Sequence, residues 1–327
     1  MYCNQELDIL AVGNAIVDVL SHAKESVLEH LGLEKNTMTL ISLEDSDRLY
    51  SHMVSTIARS GGSAANTVAA FAALGGKAGY VGRVKNDQFG KIFAQDLKSL
   101  GIEYITPLSP EGSETGRCLV FVTPDSKRTM QTYLGSCIEL SPQDLDPEQI
   151  MRAKITYLEG YAWDSSTAKE TCELAAKIAK QAGRKVAITL SDHNLVNRHR
   201  ESFLNFIKDN SNIVFANENE ILALCKTSSL DSALDSIQSV CEIVIVTLSE
   251  KGSIILTPSA RIHIPAERVL NVVDSTGAGD FYAAGFLFGL TQKHSLEMCG
   301  NLASLCGAHV IQYLGARPDE SLVSLIA

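Results

Sequence analysis

Short apolar runs rich in Val and Ile recur along this chain, and helix-forming segments separate them. "LDILAVGNAIVDVL", "KAGYVGRV", "KITYLEGY", "RKVAITLS", "NIVFAN" and "EIVIVTLS" each end in polar or Gly residues. Between them lie periodic stretches such as "SSTAKETCELAAKIAKQAG", where Thr167 and Glu170 have capping-box spacing and Gly183 marks a helix end. Strand–helix alternation of this kind dictates an α/β fold, a mostly parallel central sheet covered by helices on both faces. Ligands of such sheets bind beyond the carboxyl ends of the strands.

The 327 residues suffice for one large domain or two smaller ones. No linker or repeat divides them, so we expect a single domain over 1–327. One region departs from the alternation. "TGRCLVFVTPDSKRTMQTYLG", 115–135, reads as two strands joined by a turn at Pro124 and Asp125. With the strand near 14–20 and "TMTLIS" at 37–42 it is expected to form a small separate sheet, a discontinuous lid drawn from about 14–42 and 113–135.

A formal charge of −10 argues against a nucleic-acid partner. No apolar run reaches the ~18 residues that span a bilayer, and the N-terminus carries acids without a basic region, so it reads as the first strand. The eight cysteines form no CxxC pair, which leaves neither a zinc nor a redox motif. A cytoplasmic protein with a small-molecule substrate fits these features.

"DSTGAGDFYAAGFLFGL", 274–290, sets glycines and two acids before an apolar helix. A Walker A loop would need a lysine after the glycines, and there is none. A dinucleotide fingerprint belongs after the first strand, not this near the C-terminus. A tight turn accounts for the glycines alone. An anion hole accounts for more: the amides of Gly277, Ala278 and Gly279 can approach a phosphate at a helix N-terminus. Asp280 beside a transferring phosphoryl could accept a proton from an attacking hydroxyl.

"DSTGAGDFYAAGF" resembles the C-terminal signature of the ribokinase-like (PfkB) carbohydrate kinase family, whose core is D-x-x-G-A-G-D. "GGSAANTVAAFAALGGKAGYVGRVKNDQFG", 61–90, is similar to the family's N-terminal signature, and the resemblance extends over about 8–318. It implies a three-layer α/β/α fold and phosphoryl transfer from ATP, with Asp280 as general base and Gly277, Ala278 and Gly279 as the anion hole. It also implies that Asn217 and Glu220 of "ANENE" hold water around Mg²⁺, which keeps several waters. Thr247 and Gly252 of "VTLSEKG" would carry the nucleotide and Asn301 would lie near its adenine. A lid-borne Arg128 would reach the phosphates, while Asp274 and the carbonyl near Gly315 would neighbour a monovalent cation such as K⁺.

The acceptor end is implied by "GNAIVD", with Asn14 and Asp18, and by "GGSAAN", with Gly62, Ser63 and Asn66. A carboxylate at a strand end can accept hydrogen bonds from two vicinal hydroxyls, as a ribose presents. Within the family the chain looks most like bacterial adenosine-kinase-type members, and Tyr133, Tyr161 and Trp163 could stack on a purine. The expected reaction is phosphorylation of the 5′-hydroxyl of adenosine to AMP. A sugar kinase of ribose or fructose type, or a non-catalytic nucleoside sensor, are the alternatives, and either a monomer or a homodimer is compatible.

Overall fold

The computed structural model describes residues 6–125, 127–317 and 322. Its strands are β1 (Leu7–Val12), β2 (Ile16–His22), β3 (Met38–Leu40), β4 (Ile57–Gly61), β5 (Ala78–Val81), β6 (Glu103–Tyr104) and β7 (Gly116–Val122). They continue with β8 (Arg128–Tyr133), β9 (Ala153–Glu159), β10 (Lys185–Thr189), β11 (Ile213–Asn217), β12 (Ile243–Thr247), β13 (Ser253–Thr257) and β14 (Ala260–Ile264). A nine-stranded sheet runs β14-β13-β12-β11-β10-β9-β1-β5-β6, parallel from β12 to β6, with β13 and β14 antiparallel at one edge. The parallel strands read as continuous apolar runs because both faces are covered. Ile9, Tyr157, Phe215 and Ile245 pack on one face against the helices Ser63–Ala73 and Ala278–Thr291, while Leu10, Leu158, Val214 and Val244 pack on the other against Ser166–Gln181 and His193–Asn210.

A five-stranded sheet, β3-β8-β7-β2-β4, stands apart. The hairpin expected at 115–135 is β7 and β8, paired antiparallel from Arg117 opposite Tyr133 to Val122 opposite Arg128. "LDILAVGNAIVDVL" holds two strands, the second being the one expected near 14–20. Gly13–Ala15 breaks it, so β1 enters the large sheet and β2 the small one. β4, which lies in "STIARSGG", also belongs to the small sheet, paired antiparallel to β2 with Asp18 opposite Arg59. Its short run ending in Ser-Gly-Gly has no clear alternation, which hides it from periodicity.

The helix of "SSTAKETCELAAKIAKQAG" starts earlier than its capping-box spacing indicates. Ser165 caps it by accepting the Ala168 amide, and Thr167 lies inside it. Gly183 follows its end in the left-handed region, at φ 68°, which an L side chain adopts only with strain.

The apolar stretch after Asp280 is the helix Ala278–Thr291, buried from Phe281 to Gly289. A helix hydrophobic all round belongs inside a protein. Gly285 and Gly289 face the backbone of Ala303 and Cys299 on the helix Leu296–Val310, where a Cβ would lie 2.9 Å and 3.1 Å from those Cα atoms. Burying Phe281, Phe286 and Leu287 contributes roughly 1.5–3 kcal/mol each, enough to hold the carboxylate at the helix start in a fixed place.

Candidate active site

The carboxyl ends of β10, β11 and β12 open into a cleft of about 280 Å³, lined by Thr189, Asn217, Glu220, Thr247, Ser63 and the loop 275–280. Its floor is the first turn of the Ala278 helix. Gly277 caps that turn with φ 80°, and a Cβ there would come within 3.0 Å of Ala316. Gly279 has nothing within 4 Å of where a Cβ would stand, so its backbone is open to the cleft. The Ala278 amide donates to the Ser275 carbonyl at 3.2 Å.

Asp280 is half-buried and held from the helix Ser63–Ala73. Ser63 Oγ donates to one oxygen at 2.6 Å and Asn66 Nδ2 to the other at 3.2 Å. Desolvation pushes its carboxyl up to about 6, while Ser63, Asn66 and the Arg317 guanidinium oppose that rise and the Asp18 carboxylate adds to it. A carboxylate of that pKa is largely ionised at neutral pH yet basic enough to take a proton.

The acceptor-side residues meet where the two sheets join. Asn14 is buried in the Gly13–Ala15 break, and its carbonyl would lie 2.2 Å from a Cβ on Gly62, which caps the Ser63 helix with φ 96°. Gly61 faces Asp18, whose Cγ would lie 2.4 Å from a Cβ there. These glycines let the Ser63 helix start close against β2. Burial raises the Asp18 carboxyl, and Arg317, Arg128 and Arg59 pull it back.

Sequence reasoning missed Glu159, at the end of β9. It is 1% exposed, accepts the Ala64 amide at 2.9 Å and the Asn14 amide, and burial pushes it up to about 8. A carboxylate closing the strand run "KITYLE" just before Gly160 was the available signal. Arg317, two residues after Gly315, was missed as well.

On the nucleotide side, Asn217 and Glu220 form a reciprocal cap on the helix Glu218–Cys225. Asn217 N donates to Glu220 Oε2 at 3.0 Å and Glu220 N to Asn217 Oδ1 at 2.9 Å. Asn217 Nδ2 donates to the other Glu220 oxygen at 2.6 Å, and burial pushes this carboxyl up to about 7. Thr247 ends β12 beside this pair, and Gly252 turns the chain into β13 at φ 87° against the Ile264 carbonyl. Asn301 is exposed on the Leu296 helix, outside the cleft lining. Among the described residues no three His, Cys, Asp or Glu side chains cluster as a metal cage. A Mg²⁺ site here would rest on Glu220, Asn217 and water, which suits an ion that dehydrates reluctantly.

Two expectations are corrected. Asp274 does not present free oxygens to a cation: Thr276 N and Oγ1 donate to Oδ1 at 2.9 and 2.7 Å, and Arg128 Nη1 and Gly315 N donate to Oδ2 at 2.8 and 2.9 Å. Gly315 thus offers its N–H to this carboxylate. Despite partial desolvation, these donors hold Asp274 below the usual carboxylate range. Trp163 is a core residue, 2% exposed and stacked on Phe203 at 4.8 Å. Tyr161 does line the cleft, and Tyr133 is half-buried on β8.

Known proteins fit this geometry. The model of the pfkB family carbohydrate kinases matches residues 34–322. A probable sugar kinase protein from Rhizobium etli is 45% identical, with a TM-score of 0.89 and 98% of each chain covered. An adenosine kinase from Sinorhizobium meliloti is 43% identical, again with a TM-score of 0.89 and 98% of each chain covered. The aminoimidazole riboside kinase of Salmonella typhimurium is 28% identical over 78% of this chain and 83% of its own length. With a sheet, a cleft and a family signature that agree over most of its length, the chain belongs to the pfkB family of carbohydrate kinases and is an ATP-dependent kinase.

Proposed function

We propose that the protein transfers the γ-phosphoryl group of ATP to the 5′-hydroxyl of adenosine, giving AMP and ADP. The observation that carries the chemistry is Asp280, held by Ser63 and Asn66 at a helix N-terminus with its carboxyl near 6. Its carboxylate takes the hydroxyl proton as the acceptor oxygen bonds to the γ-phosphorus, and the bond from that phosphorus to the β,γ-bridging oxygen breaks. The first-turn amides of the helix, at Gly277 and Gly279, face the charge that moves onto the phosphoryl oxygens. Removing one such donor typically costs ~3 kcal/mol of transition-state stabilisation. Asn14, Asp18 and Gly62 hold the ribose hydroxyls.

Thr247 and Gly252 cradle the nucleotide, and Asn217 with Glu220 holds the water around the Mg²⁺ that arrives with ATP. Asn301 flanks the adenine from further out. Arg128 brings the positive charge of the small sheet to the root of the anion loop, so the small sheet acts as the lid. A K⁺ ion at Asp274 would have to displace that guanidinium, and K⁺ is left out of the proposed reaction.

Adenosine as acceptor is supported by the 43% identity to the Sinorhizobium adenosine kinase and by Tyr161 in the cleft wall. A free sugar is the second reading, because the Rhizobium protein with 45% identity is described as a probable sugar kinase. The test is ADP release by purified protein with Mg-ATP and adenosine, other nucleosides, ribose or fructose. Selective turnover of adenosine supports the proposal, and turnover of a sugar alone replaces adenosine while keeping the chemistry.

A further inference from the structure

Asn66 stands between two groups of opposite hydrogen-bonding character. On one side is Asp280, whose ionised carboxylate only accepts. On the other is Arg317, whose guanidinium only donates. Arg317 Nε donates to Asn66 Oδ1 at 2.8 Å, and Asn66 Nδ2 donates to Asp280 Oδ2 at 3.2 Å. Only one orientation of the Asn66 amide satisfies both neighbours. Turned over, it would set its carbonyl against the carboxylate and its amino group against the guanidinium.

Arg317 is itself fixed from the far side. Its side chain is 9% exposed, its Nη1 donates to Ser60 Oγ at 2.7 Å and lies 3.4 Å from Asp96 Oδ2, and Asp96 also accepts the Ser60 amide at 2.9 Å. Arg59 Nη1 donates to the Arg317 carbonyl at 3.0 Å, which pins the backbone. The chain of contacts therefore runs from Asp96 and Ser60 through Arg317 and Asn66 to Asp280. Arg317 Nη2 is buried with no partner among the described residues, a cost that a surface anchor would not carry.

We infer that Arg317 is a positioning residue for the base: it sets the Asn66 amide so that an amino group faces Asp280, and it places a fixed positive charge behind that pair. This inference rests on the proposed phosphoryl transfer. The other charged or titratable groups that act on Asp280 or feel it are Asp18 on β2, Glu159 and Tyr157 on β9, and Tyr161 beyond β9. Arg317 is the cation among those acting on it.

The test compares wild type with Arg317→Met, Arg317→Lys and Asp96→Asn. In Arg317→Met, kcat is expected to fall about tenfold or more while the acceptor KM stays within about threefold, because the loss falls on a step after binding. The acid limb of kcat moves to higher pH by about half a unit to one unit. Arg317→Lys, which keeps the charge but offers one nitrogen in place of Nε and Nη1, recovers part of each effect, and Asp96→Asn shows a smaller change in the same direction. The carboxyl carbon resonance of Asp280, assigned with Asp280→Asn, reports the same shift without turnover. An unmoved Asp280 titration in Arg317→Met overturns the inference, whatever its activity. If that variant does not fold, an unmoved titration in both Arg317→Lys and Asp96→Asn overturns it. A wild type inert toward every acceptor sinks the proposed function, while the titration still decides the role of Arg317.

Discussion

The two ends of the cleft are built by opposite strategies. At the nucleotide end, Asn217 and Glu220 are three residues apart and satisfy each other within one helical turn. At the acceptor end, Asp280 is held by Ser63 and Asn66, more than 200 residues away in sequence, and Asn66 by Arg317, 251 residues away. The first arrangement forms as soon as its helix does. The second exists only when both signatures, the small sheet and the segment after the last helix have docked. Damage at one end should therefore stay local, and damage at the other should spread.

The largest expected effect is at the base. Asp280→Asn keeps both side-chain contacts within reach but removes the proton acceptor, so kcat should fall by about 10²–10⁴-fold with little change in the KM for ATP. Steady-state kinetics beside a thermal unfolding curve would show a folded, slow enzyme, and near-normal turnover would remove Asp280 from the mechanism. Next comes Arg128→Ala. It takes the cation from the Asp274 carboxylate and leaves the Thr276 and Gly315 donors in place, so denaturant unfolding should shift and kcat should fall too. If stability stays unchanged, the buried Arg128–Asp274 pair contributes nothing net to the fold.

Asn217→Ala tests the local end. The lost helix cap costs about 1 kcal/mol, and the KM for ATP should rise several-fold while the KM for the acceptor stays put. A rise in both would erase the distinction between the two ends. A fourth expectation concerns stability against pH. Asp280, Glu220 and Glu159 are pushed up to about 6, 7 and 8. Between their unfolded values and these, the folded chain binds more protons than the unfolded one. Stability should therefore fall as pH rises from about 5 to about 8, a trend that melting curves at stepped pH would show and that Glu159→Gln should flatten.

The same contrast explains what could be read from the sequence. The parallel strands and the hairpin at 115–135 were legible because each is a periodic or short-range pattern. The loop 274–280 was legible because its glycines and acids are adjacent. Asp274 and Asp280 lie six residues apart in that loop, and their fates are opposite: donors hold one below the usual range, and burial lifts the other. Asp274 is held largely from inside the loop, by Thr276, with Arg128 and Gly315 adding to it, whereas the burial that lifts Asp280 comes from packing that the loop does not contain. Glu159 and Arg317 escaped notice for the same reason, and Trp163, an aromatic after a strand, proved to be packing.

The break at Gly13–Ala15 has a mechanical consequence. Three residues separate a strand of the large sheet from one of the small sheet, and Asn14 lies within them. Asp18 belongs to the small sheet, whereas Asp280 starts a helix packed on the large one. In the proposed reaction, one body grips the acceptor and the other deprotonates it. The distance between hydroxyl and base is then a readout of how the two sheets are set against each other. A shift of the small sheet too slight to unseat the acceptor would still carry its oxygen away from the carboxylate, so turnover should respond to the fit of the sheets before binding does.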